Sequence, residues 1–459
     1  MTDDYTPLLS PQTATESTTV GATAPAFRRK WLTVALLVGI NLLNYLDRFT
    51  ISGILPNLKD ASESHLDHDV SDSQGGLLMT VFIASYMVFS PVFGYLGDRF
   101  NRKILITVGI IFWSIFTVGG SFSQTYVQLL IARGLVGVGE ASYATIAPTI
   151  IADLYPADER TFMLSVFYLA IPVGAAMGFM VGAEVAAALG SWRWALRISP
   201  PIGLALALAL FFFTRDPPRG ASDGHAHEDA KNSASGLEAF LDDVRGILRV
   251  PTFIWSTLGF TAVTFTSGAM AQWAPTFVYR QAHEAGSSMS SATAALAFGA
   301  VTCAAGIIGT LGGSWLSKRY APRTGAIDSY ICGVGMLLAV FFMGISIPIA
   351  SYSMPLFWLT IVLGEIALCL NWAPSAAITL YVIVPQRRAS AEAVNILMTH
   401  LLGDAFSPYL IGLVSDTLKK HYNMTAGDAL MLSLFIAVVV ALLGAAAYLR
   451  SSKTVQRDK

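Results

Sequence analysis

Four charged side chains lie inside stretches of sequence that are otherwise apolar. Asp47 and Arg48 fall within INLLNYLDRFT, and Arg133 and Glu140 fall within ARGLVGVGEASY. A charge at the centre of a bilayer costs about 2.5–3.5 kcal/mol on insertion scales, so these residues should point into the protein rather than towards lipid. Seven residues separate Arg133 from Glu140, which places both on one face of a helix. We predict a neutral network that binds a charged headgroup and a proton; an ion-paired cluster that only holds the helices together is the alternative.

A second set of polar residues lies in later apolar stretches. His400 and Asp404 are four residues apart on one helical face, and histidine is the side chain that changes charge near pH 5–7. We predict that this pair takes part in proton coupling; a histidine satisfied by ordinary core hydrogen bonds is the alternative. Glu365 and Asn371 are the next candidates for the same site.

An enzyme that uses His400 as a base is a rival interpretation, because Asp404 and Ser407 follow in the same stretch. However, the apolar stretches contain neither a G-x-S-x-G nucleophile elbow nor an H-E-x-x-H metal motif. The three cysteines also lie in apolar runs without metal-ligand spacing. We therefore predict a protein that is not an enzyme and binds no metal or cofactor.

The composition of the whole chain places these residues in a membrane. The chain has 459 residues, of which 54% are hydrophobic and 13% are charged, and its mean hydropathy is +0.57. These values are too apolar for a soluble protein of that size. The net charge of −1 gives no electrostatic basis for binding nucleic acid. We predict a polytopic integral membrane protein.

Twelve apolar stretches are long enough to cross about 30 Å of hydrocarbon. Because the number is even, both ends of the chain lie on one side. Twenty-one of the 29 lysines and arginines fall on that side and six on the other, which predicts cytosolic termini by the positive-inside rule. The stretches cover residues 31–57, 75–97, 103–123, 125–152, 161–188, 195–214, 251–278, 294–317, 326–349, 353–384, 389–415 and 427–450.

A hydrophilic connection divides the stretches into two sets of six. GEASYATIAP in the fourth stretch returns 225 residues later as GEIALCLNWAP, and GYLGDRFNRK returns 219 residues later as GSWLSKRYAPR. We therefore predict a duplicated six-helix unit, in which Glu365 is the counterpart of Glu140. The predicted division is a tail (1–30), a six-helix bundle (31–214), a linker with an amphipathic helix (215–250), a second bundle (251–450) and a tail (451–459).

The motif GYLGDRFNRK resembles the loop signature of the major facilitator superfamily. This resemblance implies an all-α membrane fold of twelve transmembrane helices in two pseudo-symmetric halves. It also implies a latch on the cytosolic side, in which glycines allow close helix contact and charged residues pair with acids. Ser317 stands where the first half has Asp98, so a symmetric second latch is not implied. The implied latch residues are Gly94, Gly97, Asp98, Arg99, Arg102, Lys103, Asp153 and Asp158.

Further motifs resemble the Spinster lipid transporters along essentially all twelve stretches. They are NYLDRF, ARGLVGVGEASYATIAPTIIADLY, GSWRWALRISP and HLLGDAFSPYLIG. The resemblance implies that Asp47, Arg48, Arg133, Glu140 and His400 form the substrate and proton site. An amphipathic lipid would also need apolar walls, although packing is the alternative role for such side chains. The candidate aromatic residues are Phe112, Trp113, Phe265, Trp273 and Trp372.

Two short motifs concern location. In DYTPLL, Asp4 is followed by Leu8 and Leu9, which resembles an acidic dileucine signal that adaptor proteins read for sorting to lysosomes. Asn423 begins an N-x-T glycosylation sequon on the predicted lumenal side, close to the last stretch. We predict a multi-pass protein of lysosomal or late endosomal membranes.

Together these features predict a secondary transporter that works by alternating access. Its predicted cargo is lysophosphatidylcholine or lysophosphatidylethanolamine, exported from the lysosome lumen to the cytosol with proton coupling. Arg48 or Arg133 would bind the phosphate, and Asp47 or Glu140 would bind the amine. Sphingosine-1-phosphate or another sphingolipid is the alternative cargo, since it also carries a phosphate and an amine. A sensor that binds lipid without moving it is a further alternative.

Overall fold

The computed structural model describes residues 24–59, 65–218, 244–320, 325–384 and 387–458. This part of the chain is almost wholly helical, and no strand occurs in it. The architecture is therefore the all-α membrane fold that the sequence predicts.

Six long helices form the first half of the protein. They are α1 (Ala24–Leu58), α2 (Asp72–Arg99), α3 (Arg102–Gly120), α4 (Tyr126–Leu154), α5 (Ala157–Ala188) and α6 (Ala195–Phe213). Reciprocal capping bonds fix two of the starts: Ser71 pairs with Gln74 at α2, and Thr125 pairs with Gln128 at α4. Such bonds satisfy backbone N–H groups that the first helical turn leaves free.

The second half repeats this pattern with two interrupted helices. Its elements are α7 (Pro251–Glu284), α8 (Ser291–Tyr320), α9 (Ile327–Ile349), α10 (Met354–Cys369), α11 (Trp372–Val382), α12 (Arg388–Thr399), a π-helical segment (His400–Asp404), α13 (Ser407–Tyr422) and α14 (Ala426–Asp458). α10 and α11 together form one span, as do α12 and α13 with the π-helical segment between them.

Eleven of the spans in the described ranges are long and apolar enough to cross a membrane. We assign α7 as the twelfth. With 34 residues it exceeds the ~20 residues that a span requires, but its threonines, serines and glutamines lower its hydropathy. It packs against α1, α8 and α14, so it lies among the other spans.

The interruptions of the tenth and eleventh spans were not predicted, since the sequence analysis treats each span as continuous. α10 ends at Cys369 and α11 begins at Trp372, within the motif that carries one residue more than its counterpart in α4. In the π-helical segment, Gly403 leaves helical geometry, with φ −95° and ψ −107°. Interrupted membrane helices are found mainly where the backbone lines a cavity or a functional site.

A stripe of glycines on α5 brings that helix close to α1. A Cβ atom at Gly174, Gly178 or Gly182 would lie 2.6, 2.5 or 2.7 Å from a carbonyl oxygen of α1, which leaves no room for a side chain. The four-residue spacing keeps the glycines on one face, as small residues at membrane helix contacts often are. Because their partners on α1 flank Asp47 and Arg48, this contact sets where those two charges lie.

Two names describe the sides of the helical bundle. The terminal side is the one on which the described chain begins, before α1, and ends, after α14. The distal side is the opposite one, where α1 ends and α2 begins. Residues 244–247 of the linker are helical on the terminal side, and Ile247 packs into the core of the second half. Residues 248–250 of the linker are not helical, and residues 219–243 lie outside the described residues.

Candidate functional site

Four buried charges form a central cluster on α1 and α4. The exposed fractions of Asp47, Arg48, Arg133 and Glu140 are 2%, 8%, 3% and 0%, so the four side chains point into the protein. Nη2 of Arg48 donates a hydrogen bond to Oε2 of Glu140 at 3.4 Å. The structure thus brings one base of α1 to the acid of α4.

Aromatic rings surround both guanidinium groups of this cluster. The guanidinium carbon of Arg48 lies 4.8, 5.0 and 5.2 Å from the ring centroids of Tyr45, Phe82 and Tyr86. The same atom of Arg133 lies 4.7 Å from the centroid of Phe82. Ring faces attract cations, so these aromatic residues hold the two arginines in place. None of these three rings was predicted from the sequence, although Tyr45 lies one helical turn before Arg48, a spacing that places its ring beside the guanidinium.

Asp47 does not join the ion pair. Its carboxylate accepts a hydrogen bond from Oγ of Ser199 on α6, and no basic group of the described chain lies within ion-pair distance of it. The predicted network of four charges therefore divides into the Arg48–Glu140 ion pair, the Asp47 carboxylate held by a hydroxyl, and Arg133, which forms no ion pair in the described chain and lies against the ring of Phe82. Ser199 lies in the quoted motif GSWRWALRISP, but a serine in a membrane span gives no signal that it faces an acid.

The central cluster leaves several buried polar atoms without a hydrogen-bond partner in the described chain. Buried polar groups in proteins are nearly always paired, and an unpaired charged group is costly. Acceptors and donors are both present, so the cluster can bind a group that carries both signs of charge. The unpartnered atoms are Oδ2 of Asp47, Nε of Arg48, Nε and Nη2 of Arg133, and Oε1 of Glu140.

His400 and Asp404 form a second polar pair, on the π-helical segment of the eleventh span. Nδ1 of His400 lies 2.9 and 3.0 Å from the two carboxylate oxygens of Asp404. The side chains are 30% and 21% exposed, in contrast to the central cluster. Thr264 of α7 holds the start of this segment by donating to the carbonyl of Thr399 at 2.8 Å. The pair is therefore positioned on the second half and remains accessible.

Glu365 and Asn371 lie apart from both groups in the contacts of the described chain. Glu365 is buried in α10, with an exposed fraction of 4%. Asn371 occupies the break between α10 and α11, where Nδ2 donates to the carbonyl of Leu368 at 2.8 Å and Oδ1 has no partner. The structure thus assigns Asn371 a local role at the helix break.

The five candidate aromatic residues do not share one surface. Trp113 and Trp273 are fully buried, and Nε1 of Trp273 donates to the carbonyl of Pro408 at 2.9 Å, which ties α7 to α13 within the second half. Phe265 borders an apolar groove of about 510 Å³ between α7, the π-helical segment and α14. The other two contact a neighbouring aromatic ring: Phe112 contacts Phe116, and Trp372 contacts Phe260.

A second charged cluster, which we call the distal cluster, joins the two halves around Asp72 at the start of α2. This buried carboxylate accepts hydrogen bonds from Arg280 of α7 at 2.7 and 3.1 Å. It also accepts from Lys419 at 2.9 Å and Ser415 at 2.7 Å, both on α13, and from Lys59 after α1. Three of its four partners therefore come from the second half. Asp72 was not predicted as a site residue, because it precedes the predicted second span.

Other contacts close the distal side next to this cluster. Gln272 of α7 accepts a hydrogen bond from Ser52 at 2.7 Å and donates to the carbonyl of Gly75 at 3.0 Å. The hydroxyl of Thr80 donates to the carbonyl of Ala405 at 2.5 Å. Each of these bonds joins the first half to the second. The structure therefore shows a conformation that is closed on the distal side.

The basic residues of the predicted latch make their hydrogen bonds within the first half. Arg102 pairs with Asp153 of α4 at 2.5 Å and with Asp216, after α6, at 2.9 Å. Lys103 donates to carbonyls at the end of α6, and the guanidinium of Arg99 lies 4.0 Å from the ring centroid of Tyr95. These contacts tie α3, α4 and α6 together on the terminal side.

The two latch glycines differ in their surroundings. A Cβ atom at Gly97 would lie 3.0 Å from Ile146 of α4, whereas an added Cβ at Gly94 would have no atom within 4 Å. Close helix contact is thus present at Gly97 and absent at Gly94 in this conformation. The side chains of Asp98 and Asp158 lie outside the described part of the structure.

Of the two motifs for location, only the glycosylation sequon lies within the described residues. Asp4, Leu8 and Leu9 fall outside the described residues. Asn423 is exposed and ends α13 with a left-handed backbone, at φ 51°. Asn423 is thus on the distal side, and both its lumenal exposure and its glycosylation stay predictions.

The chain is similar to known proteins along nearly its whole length. The sequence profile of the Major Facilitator Superfamily matches residues 37–408. Human protein spinster homolog 1 is 44% identical over 443 residues, which cover 94% of this chain and 82% of that protein. Protein spinster homolog 3 of Danio rerio is 43% identical and covers 97% and 89%. The crystal structure of a bacterial homolog to human lysosomal transporter Spinster, inward-facing and unoccupied, matches with a TM-score of 0.79 at 24% identity, over 94% of this chain and 98% of that one.

Proposed function

The chain belongs to the Spinster family of the major facilitator superfamily, and we propose that it exports lysophospholipids from the lysosome lumen to the cytosol. It is a membrane transporter and not an enzyme. In this proposal the terminal side faces the cytosol, the distal side faces the lumen, and lysophosphatidylcholine and lysophosphatidylethanolamine are the cargo.

The observation that carries the proposal is the set of unpartnered atoms in the central cluster. Nε and Nη2 of Arg133 and Nε of Arg48 are donors, while Oδ2 of Asp47 and Oε1 of Glu140 are acceptors. A phosphate oxygen would accept from the donors, and a positively charged amine would approach the acceptors. Two bases and two acids sum to zero formal charge, which suits a zwitterionic headgroup.

Sphingosine-1-phosphate is the second candidate cargo. Arg133 has two buried nitrogens free of partners, which would favour the more negative phosphate monoester of this lipid. The amine of the same molecule would still approach Asp47 or Glu140. The two cargo lipids therefore differ in net charge rather than in the groups that the site would contact.

Proton coupling is the second part of the proposal. Asp47 and Glu140 are buried acids without full hydrogen bonding, and the His400–Asp404 pair is partly exposed beside α7. In the proposed cycle, His400 and Asp404 pass protons to these acids as the two halves rock about the central cluster. Closing of the distal side, as in this conformation, would open the site to the cytosol.

Uptake into proteoliposomes tests the cargo and the coupling together. Labelled lysophosphatidylcholine is offered to wild type, Asp47→Asn and Glu140→Gln under an imposed pH gradient. We expect each substitution to lower gradient-driven uptake by at least about tenfold, the effect of ~1.4 kcal/mol, and sphingosine-1-phosphate to compete weakly. Ser142→Ala is the matched control, because Ser142 is buried on α4 and bonds only the carbonyl of Gly139 in its own helix. Unchanged uptake in both acid variants would show that the mechanism is wrong.

Lysosomal location is tested separately. If adaptor proteins read Asp4, Leu8 and Leu9, replacing both leucines by alanine should move the protein from lysosomes to the cell surface. Lysosomal retention of that variant would remove the support for a dileucine signal and leave the transport proposal intact.

A further inference from the structure

A polar pocket of about 500 Å³ lies on the distal side, away from the central cluster. It is formed where the connection after α1, the turn between α3 and α4, and the start of α6 meet. Two arginines line it. The lining residues are His65, Ser121, Phe122, Gln124, Arg193 and Arg197.

Arg197 is held at the pocket by one nitrogen. Its Nε donates to Oγ of Ser121 at 2.9 Å. Its guanidinium carbon lies 4.6 and 4.8 Å from the ring centroids of Phe122 and Trp194. In the described chain, its two terminal nitrogens have no hydrogen-bond partner, so they are available to a ligand.

Arg193 is held by its neighbours in a similar way. Its Nη2 donates to the carbonyl of Ser123 at 2.7 Å and approaches the carbonyl of His65 at 3.4 Å. The guanidinium carbon also lies 5.1 Å from the centroid of Trp192. Both arginines are therefore fixed in place by neutral groups.

No carboxylate of the described residues lies within ion-pair distance of either arginine. Asp67, in the connection that carries His65, is already used: it accepts from the backbone N–H of Tyr126 at 2.9 Å and lies 3.0 Å from Nδ1 of His68. This differs from the distal cluster, where Lys59, Arg280 and Lys419 share one buried acid. The pocket thus keeps two positive charges that the described protein does not compensate.

We propose that this pocket binds the phosphate of an anionic phospholipid in the distal leaflet. Phe122 and Trp194 are 65% and 44% exposed, and exposed aromatic rings beside arginines are typical of the membrane interface. The planar guanidinium groups suit phosphate oxygens. Without an acid in the described lining, the pocket offers no partner for the amine of a zwitterionic lipid, so phosphatidylglycerol-like lipids fit better than phosphatidylcholine.

This site is distinct from the cargo site but shares an element with it. α6 begins beside Arg193 and Arg197, and the same helix presents Ser199 to Asp47. A lipid held at the start of α6 would therefore fix the helix that orients Asp47. The inference does not depend on which lipid the protein transports.

Lipid binding in nanodiscs tests the proposal. Purified protein is placed in phosphatidylcholine nanodiscs that contain increasing fractions of labelled phosphatidylglycerol, and the retained label is measured for wild type and for the double variant Arg193→Gln, Arg197→Gln. We expect the apparent affinity to fall at least about tenfold in the double variant. Lys420→Gln is the matched control, because Lys420 is an exposed cation on the distal side at the end of α13.

Three results would overturn the proposal. The first is equal loss in the Lys420→Gln control, which would indicate non-specific attraction to a basic surface. The second is displacement of the lipid by inorganic phosphate at about 10 mM, which is in the range of a weak dissociation constant. Such displacement would indicate a site for soluble anions. The third is unchanged binding in the double variant. Melting temperatures in pure phosphatidylcholine nanodiscs check that each variant is folded. The double variant Arg193→Lys, Arg197→Lys keeps both positive charges and should recover part of the binding.

Discussion

The central cluster and the distal cluster both bury charges, but they satisfy them to different degrees. In the distal cluster, the Asp72 carboxylate receives hydrogen bonds from four side chains. In the central cluster, one ion pair of 3.4 Å is accompanied by five charged-group atoms that have no hydrogen-bond partner among the described residues. Burial of charge therefore does not by itself mark a ligand site. What distinguishes the central cluster is its unused hydrogen-bonding capacity.

The two clusters also differ in which parts of the protein they join. The contacts of the distal cluster cross from the first half to the second, so rocking of the halves must break them. The Arg48–Glu140 pair and the Ser199–Asp47 bond lie wholly within the first half, so they can persist while the halves move. We infer that the distal cluster controls conformation, whereas the contacts within the central cluster keep their geometry as the proposed cargo site opens to one side and then to the other.

Replacing the central ion pair by neutral side chains should give the largest effect on transport. In the double variant Arg48→Met, Glu140→Gln, we expect lysophospholipid uptake to fall at least about 30-fold, since losing a charged contact to a ligand costs ~2 kcal/mol or more. Stability should stay equal or rise, because neutral groups avoid the desolvation cost of a buried pair. Uptake assays and thermal unfolding in detergent measure the two effects. A double variant that melts at a lower temperature than wild type but takes up lysophospholipid at the wild-type rate would contradict the assignment of this pair to cargo.

Neutralising the acid of the distal cluster should lower the stability of the closed conformation strongly and transport less. Asp72→Asn leaves Lys59 and Arg280 without an acid partner in the described chain, while Lys419 keeps Asp416. We therefore expect a loss of about 3–5 kcal/mol from the distal-closed conformation and a smaller loss of transport. The measurement uses Ser52→Cys in a background without Cys303, Cys332 and Cys369, because Ser52 is buried in the closed conformation. This cysteine should react faster with a soluble thiol reagent in the Asp72→Asn protein than in the protein that keeps Asp72.

The control for this experiment is Asp428→Asn. Asp428 is a carboxylate in the first turn of α14 on the distal side, and it forms no ion pair in the described chain. Cysteine labelling that rises equally in Asp428→Asn and Asp72→Asn would show that the distal cluster does not hold the two halves together.

Asp67 is an exposed carboxylate, so its replacement should change stability less than replacing the buried acids of the two clusters. The backbone N–H of Tyr126 lowers the pKa of Asp67, so its folded pKa lies below the unfolded value of about 3.9. The stabilising effect is complete above that pH and is lost as the pH falls through the folded pKa. Asp67→Asn should therefore melt slightly below wild type at pH 6, and the two curves should converge as the pH drops below about 4. A difference independent of pH would mean that the charge of Asp67 contributes nothing.

Helix positions, and the inward direction of the charged faces of spans 1 and 4, could be predicted because bilayer energetics act on local sequence. A span must be about 20 apolar residues long, and charges in it must avoid lipid; the expectation that Arg48 meets Glu140 came from the family resemblance. The breaks at Asn371 and Gly403 could not be predicted, since one inserted residue or one glycine fits a continuous helix equally well. Tyr45 was within reach of helical spacing, whereas Phe82 and Ser199 depend on which faces of α2 and α6 turn inward.

The sequence alone determined that this protein spans a membrane twelve times, that it repeats a six-helix unit, and that acids and bases lie within its first and fourth spans. These properties follow from hydropathy, repetition and helical period, which are all local or periodic. Only the tertiary structure decided that Asp47 turns to Ser199 instead of an arginine, and that Asp72 gathers cations from both halves. Those outcomes depend on the rotation and contact of helices that are distant in the chain, and packing fixes them through close approaches such as that of Gly178 to the backbone of α1.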